Sequence, residues 1–218
     1  MTEVATPIWY AFFPLASHCC FAVRPTKSLV GLVQARARRR AIALKVVTAI
    51  HRRAFGYDPV EPQLCMAPSG KPYLSTAIGI INISLSYTDK WALVALSGDE
   101  VGCDIEASAV GADWARRVNA LAGRDLIVTP RDPLASWVRV EAAIKLMGGS
   151  ISNDLSRIWM EPRPRTHWEG GFWPHVSPTF WTRNIPAPDI SRAAIAAREE
   201  KSLIHVPLEG QYADMSPD

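Results

Sequence analysis

Three short β-like runs follow one another closely between Ile80 and Glu106, and they constrain the fold more than any other stretch. They are Ile80–Ser86, Trp91–Ser97 and Val101–Glu106, separated by Thr88-Asp89-Lys90 and Gly98-Asp99-Glu100. Runs of this length, divided by turn-forming triplets, read as an antiparallel meander. Pro-Ser-Gly-Lys at 68–71 marks a turn just before them. Helical signals flank the strands. Ala43, Val47, Ile50 and Ala54 form the buried stripe of a helix over Ala37–Ala54. A second helix runs over Pro133–Met147, with Asp132-Pro133 as its start and Gly148-Gly149 as its stop. Ala109–Leu126 reads as loop with a helical turn at Asp113–Leu121, and Ser150–Ile185 shows few clear elements. Ala193–Ala197 and Leu203–Val206 read as closing strands, and no close internal repeat is visible.

At 218 residues and 48% hydrophobic content the chain can bury a substantial core, as one compact body or as two small halves. No apolar run reaches the roughly 18 residues of a spanning helix. The apolar N-terminal stretch Pro7–Val23 is interrupted by Pro14 and His18, and Glu3 stands where a signal peptide carries positive charge. A buried strand with its turn, in a soluble cytoplasmic protein, is the expectation; only Tyr212–Asp218 looks disordered. Cys19, Cys20, Cys65 and Cys103 show neither metal-ligand spacing nor a disulfide framework, so they read as buried thiols in a reducing compartment.

The net charge of +3 is unevenly spread. Nine of the 24 basic residues fall between Ala5 and Tyr57, a stretch without Asp or Glu, leaving 15 against all 21 acidic residues elsewhere. Arg36, Arg38, Arg39 and Arg40 lead into the first helix, where cations oppose its dipole. An anionic ligand would explain them, either a small phosphate compound or a nucleic acid, and so would a solvated basic face.

Two patterns carry chemistry. On a strand, Asp104 and Glu106 share the face opposite Val101, Cys103 and Ile105. Side-by-side carboxylates repel unless a cation or proton lies between them, and magnesium suits oxygen donors of this kind. The plainer alternative is an edge strand with its polar face in water. On the second helix, Trp137, Glu141 and Lys145 fall at i, i+4 and i+8 beside the apolar Val140 and Ile144. The plainer alternative there is a surface Glu–Lys pair worth only ~0.2–0.5 kcal/mol.

Taken together and in order, these segments resemble the phosphopantetheinyl transferase superfamily. Gly102-Cys103-Asp104-Ile105-Glu106 is similar to its G-x-D-x-E strand, and Trp137 through Lys145 to its W-x-x-K-E-A-x-x-K helix. Upstream, Gly70-Lys71-Pro72-Tyr73-Leu74 resembles the G-K-P-x-L turn, and Asn82-Ile83-Ser84-Leu85-Ser86 the N-x-S-H-S strand. The resemblance covers roughly residues 36–149. Leu85 stands at the histidine position and Val140 at the first lysine position, two losses of positive charge expected on the cofactor side; the stretch after Lys145 matches poorly.

The resemblance implies an α+β fold of two similar halves, 1–107 and 108–218, each a small antiparallel sheet packed on a long helix, with a cleft between them. It implies transfer of phosphopantetheine from coenzyme A to a serine of an acyl or peptidyl carrier protein, dependent on magnesium. Asp104, Glu106 and Glu141 would hold the metal, Glu141 would act as general base, and Lys145 would contact the phosphate. Lys71 and Pro72 would line the adenine and ribose pocket, with Ser86 and one or more of Arg36, Arg38, Arg39 and Arg40 at the 3′-phosphate. Arg116 and Arg117 are placed to meet an acidic carrier helix, and a monomer away from membranes is expected. The rivals are an inactive relative that keeps the fold, a magnesium phosphohydrolase, and a nucleic-acid binder using the 35–40 arm. That arm lacks aromatic interleaving and any reading module, which disfavours the last.

Overall fold

The computed structural model describes residues 6–14, 45–56, 62–77, 79–88, 90–107, 112–125, 132–163, 167–174 and 177–208. They form a mixed α+β structure with two β-sheets. In chain order the elements are β1 (Ile8–Pro14), α1 (residues 45–55), β2 (Gln63–Met66), β3 (Pro72–Thr76), β4 (Gly79–Tyr87), β5 (Trp91–Ser97) and β6 (Val101–Glu106). There follow α2 (Ala112–Ala122), α3 (Pro133–Leu146), α4 (Ile151–Asp154), β7 (Ile158–Pro162), β8 (His167–Phe172), β9 (Phe180–Ile185), β10 (Arg192–Ala197) and β11 (Leu203–His205). The N-terminal part of the helix expected over Ala37–Ala54, with Arg36, Arg38, Arg39 and Arg40, lies outside the described residues, as do Cys19 and Cys20.

The first sheet has the order β11-β1-β5-β4-β3-β2 and the second β6-β10-β9-β8-β7. β11 runs parallel to β1, and every other described pairing is antiparallel. The expected meander holds through β4 and β5, with Asn82 opposite Ser97 and Tyr87 opposite Ala92. It ends there. β6 pairs with β10 in the second sheet, Asp104 lying opposite Ala194. The reason is that β5 has no free edge: β1 occupies one side and β4 the other. A division at residue 107 therefore does not separate the sheets, since β6 joins the second and β11 returns to the first.

Three apolar layers hold the elements together. Val46, Val47 and Ile50 of α1 pack on Ala11, Phe13, Ile81, Ile83, Val94 and Leu96 of the first sheet. The opposite face of that sheet, through Ile8, Tyr10, Leu93 and Ala95, meets Val101, Cys103, Ile105 and Ile195 of the second. On the far side of the second sheet, α3 contributes Val138, Val140, Ala142, Ala143 and Ile144. α2 joins this layer with Val118 and Ala122, and Trp114 meets Trp137 edge to face with centroids 5.1 Å apart.

The chain crosses between the sheets twice, at 98–100 and at 198–202, and ion pairs join the two crossings. Lys201 Nζ lies 2.5 Å from Asp99 Oδ2, and Arg198 Nη2 lies 2.6 Å from Glu100 Oε2. No helix among the described residues is long and apolar enough to cross a membrane.

Candidate functional site

α3 starts and stops where its local chemistry dictates. Asp132 accepts the Ala135 N–H at 3.1 Å, and Pro133, which has no N–H to satisfy, opens the first turn. At the other end Gly148 adopts φ 65°, the left-handed conformation that glycine takes without strain. Lys71 Nζ donates to Leu146 O at 2.8 Å and to Val101 O at 3.3 Å, fastening the β2–β3 hairpin to the helix C-terminus and to the start of β6. A cation there complements the negative end of the helix dipole. Burial holds the Lys71 amine below the ordinary lysine range.

Gly102 then decides how near the helix comes to the strand. A Cβ on Gly102 would fall 2.0 Å from Ala142 O and 2.5 Å from Leu146 N, so only a bare backbone fits beneath α3. Ala142 and Ala143 on the helix, with Ala194 and Ala196 on β10, keep that contact close. Gly102, Asp104 and Glu106 alternate onto the helix side of β6, while Val101, Cys103 and Ile105 are buried between the sheets. Asp104 is consequently drawn alongside Lys145, whose Nζ lies 2.6 Å from Asp104 Oδ1.

The third member of the cluster comes from the other sheet. Ser86 Oγ donates to Asp104 Oδ1 at 2.7 Å and accepts from Lys145 Nζ at 2.9 Å. Two residues earlier, Ser84 Oγ accepts the Cys103 N–H at 2.9 Å, and Asn82 Nδ2 donates to Gly98 O at 3.2 Å. The N-x-S-x-S strand thus lies polar side down on the G-x-D-x-E strand. Ser84 in this bridging role is a residue that the sequence reading did not single out. Its signal was there: Asn82, Ser84 and Ser86 alternate with Ile81, Ile83 and Leu85.

Charges compete inside this cluster. Glu141, one turn before Lys145, is pushed up to about 8, first by burial and then by the charge of Asp104, with Glu106 adding and Lys145 opposing. Burial works against the Lys145 cation, but the neighbouring Asp104 outweighs it with help from Glu141, so its amine stays above the ordinary range. Burial drives the Cys103 thiol up to about 12, which leaves it protonated and unreactive. Asp104 Oδ2 is buried and takes no donor from Lys145 or Ser86, and the Glu141 carboxyl hydrogen-bonds to Asp104. An unsatisfied buried acceptor costs about 1–3 kcal/mol, more when charged, so a cation or proton beside it is favoured.

The donor chemistry fits magnesium: the carboxyl groups of Asp104 and Glu106 act on Glu141, and Asp104 Oδ2 takes no donor from Lys145 or Ser86. As the side chains stand, no three His, Cys, Asp or Glu among the described residues form a closed ion cage. Asp104 Oδ1 is instead occupied by Lys145 and Ser86.

The remaining expected residues fall elsewhere or outside. Pro72 opens β3 opposite Met66, and the Lys71 amine is engaged by the two main-chain carbonyls. The Ser86 hydroxyl faces Asp104 and Lys145. Arg36, Arg38, Arg39 and Arg40 are among the residues not described. Arg116 and Arg117 are exposed on α2. Val140 is fully buried in the core beneath α3, so this position serves packing and not the cofactor side as expected. Leu85 packs against the apolar layer shared with α1, away from Ser84 and Ser86.

Compared with known protein families the sequence matches none, and no curated protein matches it. The functional reading therefore rests on the motifs and on this geometry.

Proposed function

We propose that this protein transfers the phosphopantetheine arm of coenzyme A to a serine of an acyl or peptidyl carrier protein, releasing 3′,5′-ADP with magnesium as cofactor. One observation carries the reading: Asp104 of β6 meets Glu141 and Lys145 of α3 in a single polar cluster inside an otherwise apolar interface. These are the acidic and basic positions of the two segments that resemble the transferase motifs. In this reading the first sheet with α1 and the second with α3 are the two halves, and coenzyme A lies between them.

The carrier serine oxygen bonds to the β-phosphorus of coenzyme A, and the bond to the bridging oxygen breaks. That electron pair leaves with 3′,5′-ADP. Glu141 takes the serine proton, and such catalysis is worth roughly 10²–10⁴-fold. Lys145 offsets the negative charge that grows towards the leaving group. Asp104, Glu106 and Glu141 would hold magnesium, which supplies charge neutralisation along the pyrophosphate.

A catalytically silent relative is the second reading, and a specific contact favours it. Lys145 already satisfies one oxygen of Asp104, at 2.6 Å, where an active site needs an open carboxylate. Mass spectrometry separates the two. Apo carrier protein incubated with this protein, coenzyme A and magnesium should gain one phosphopantetheine, and chelation should prevent it. No gain with fatty-acid, polyketide or peptide carriers would overturn the transferase reading.

A further inference from the structure

We infer that Ser86 is a positioning residue that keeps Asp104 Oδ2 open for a divalent cation by holding Lys145 on Oδ1; this rests on the metal-dependent reading above. Ser86 is 5% exposed and lies on β4 of the first sheet, whereas Asp104 and Lys145 belong to the second layer. A serine hydroxyl has one proton to give, and here it goes to Asp104 Oδ1 at 2.7 Å. Its oxygen is then an acceptor, and Lys145 Nζ donates to it at 2.9 Å. With Lys145 also 2.6 Å from Oδ1, three groups from three elements close a small ring on one carboxylate oxygen.

The other oxygen is left out of that ring. Asp104 Oδ2 is buried and takes no donor from Lys145, although that flexible ammonium sits on the same carboxylate; the other group hydrogen-bonded to Asp104 is the Glu141 carboxyl, itself a candidate ligand of the cation. An ammonium with three donors would ordinarily satisfy both carboxylate oxygens, directly or by swinging between them. The Ser86 oxygen gives one of those donors a competing acceptor on the Oδ1 side, and the Ser86 proton fixes which oxygen is on that side. Removing the hydroxyl releases both constraints. Lys145 can then cover Oδ2 and compete with a cation for it.

Ser86 was expected at a nucleotide phosphate, but a hydroxyl engaged on both sides inside the protein has no role there to spare. A phosphate contact also predicts a different outcome. Losing it would weaken coenzyme A binding and leave cation affinity unchanged.

The test measures cation affinity directly, by the electron paramagnetic resonance signal of free Mn²⁺ titrated with the full-length chain, alongside carrier loading. Ser86→Ala should weaken Mn²⁺ binding by on the order of 10-fold, about 1.4 kcal/mol. Ser86→Thr keeps the hydroxyl and should restore binding to near wild type. Ser86→Cys, close in volume and a poor hydrogen-bond partner, should behave as Ser86→Ala and serves in its place if the alanine variant does not fold. Unchanged Mn²⁺ affinity in folded Ser86→Ala or Ser86→Cys, with a wild type that loads carrier, would overturn the inference and leave the transferase reading standing. A wild type that neither binds Mn²⁺ nor loads carrier would overturn both.

Discussion

The molecule stacks a helix on a sheet twice, and the two interfaces differ at one point of contact. Beneath α1 the contact is built from branched aliphatics and aromatics: Val46, Val47 and Ile50 over Phe13, Ile81, Ile83 and Leu96. Beneath α3, where Val138, Val140, Ile144 and Phe180 supply similar bulk, Gly102 also brings strand backbone against the helix at Ala142 and Leu146. Large side chains fill the first interface with hydrocarbon. Gly102 brings backbone onto backbone at one point of the second, so the longer side chains beside it converge on the strand. That is why Asp104, Glu141 and Lys145 meet under α3.

The sharpest way to break this comparison is Gly102→Ala. A methyl placed 2.0 Å from a helix carbonyl cannot be accommodated by turning a side chain. The cost should reach or exceed the upper end of the ~1–3 kcal/mol usual for overpacking, read as a shift in the urea midpoint, with carrier loading lost as well. Ile83→Val, its counterpart in the α1 interface, should cost about 0.5–1.5 kcal/mol and leave loading intact. Equal costs at the two sites would mean that the interfaces do not differ as described.

Asp104→Ala should come next, reducing loading to background because it removes the carboxylate that both Glu141 and Lys145 meet. Circular dichroism should still show a folded chain. Near-normal loading would remove β6 from the chemistry altogether.

Glu141→Gln sharpens the contrast through pH. The folded-state pKa of Glu141 is raised from 4.5 to about 8, so the native state holds this proton more tightly than the unfolded chain. Its contribution to stability is fully present below about pH 4.5 and is lost as pH rises towards and through about 8. The wild-type melting temperature should therefore decline relative to Glu141→Gln across that window, while the variant loads carrier slower by on the order of 10². A wild type and variant with parallel melting profiles would show that Glu141 is not strained by its neighbours.

Lys71→Met should act on stability alone. Losing two bonds to main-chain carbonyls should cost about 1–3 kcal/mol with coenzyme A affinity unchanged if the lysine only fastens α3. A large fall in coenzyme A affinity would instead place this lysine at the nucleotide.

Much of the site was legible because it depends on short-range periodicity. Alternation put Asp104 and Glu106 on one face of β6, and the four-residue step put Glu141 and Lys145 on one stripe of α3. Pro133 and Gly148 marked that helix because caps are local chemistry. Three things were not legible. The departure of β6 from the meander depends on β1, about ninety residues earlier in the chain, having filled the edge of β5. The strands β7, β8 and β9 were hidden because Gly170 and Gly171 interrupt β8, and Trp159, Trp168 and Trp181 blur the apolar–polar alternation. The partners of Ser86 and Lys71 come from residues 18 to 75 positions away, which no local window contains.

The return of β11 to the first sheet also sets a timetable for the nascent chain. β1 waits for Leu203–His205 to complete its pairing, and Val206 and Leu208 belong to the same apolar layer as Phe13 and Ile50. Contacts between the two ends of a chain are slow to form, because the loop between them must close before they reward it. On the ribosome the first sheet would emerge early and remain with an open edge until nearly all of the second had been synthesised. A stop codon placed just after β10 would leave that edge permanently uncovered, and such a product should accumulate in the insoluble fraction.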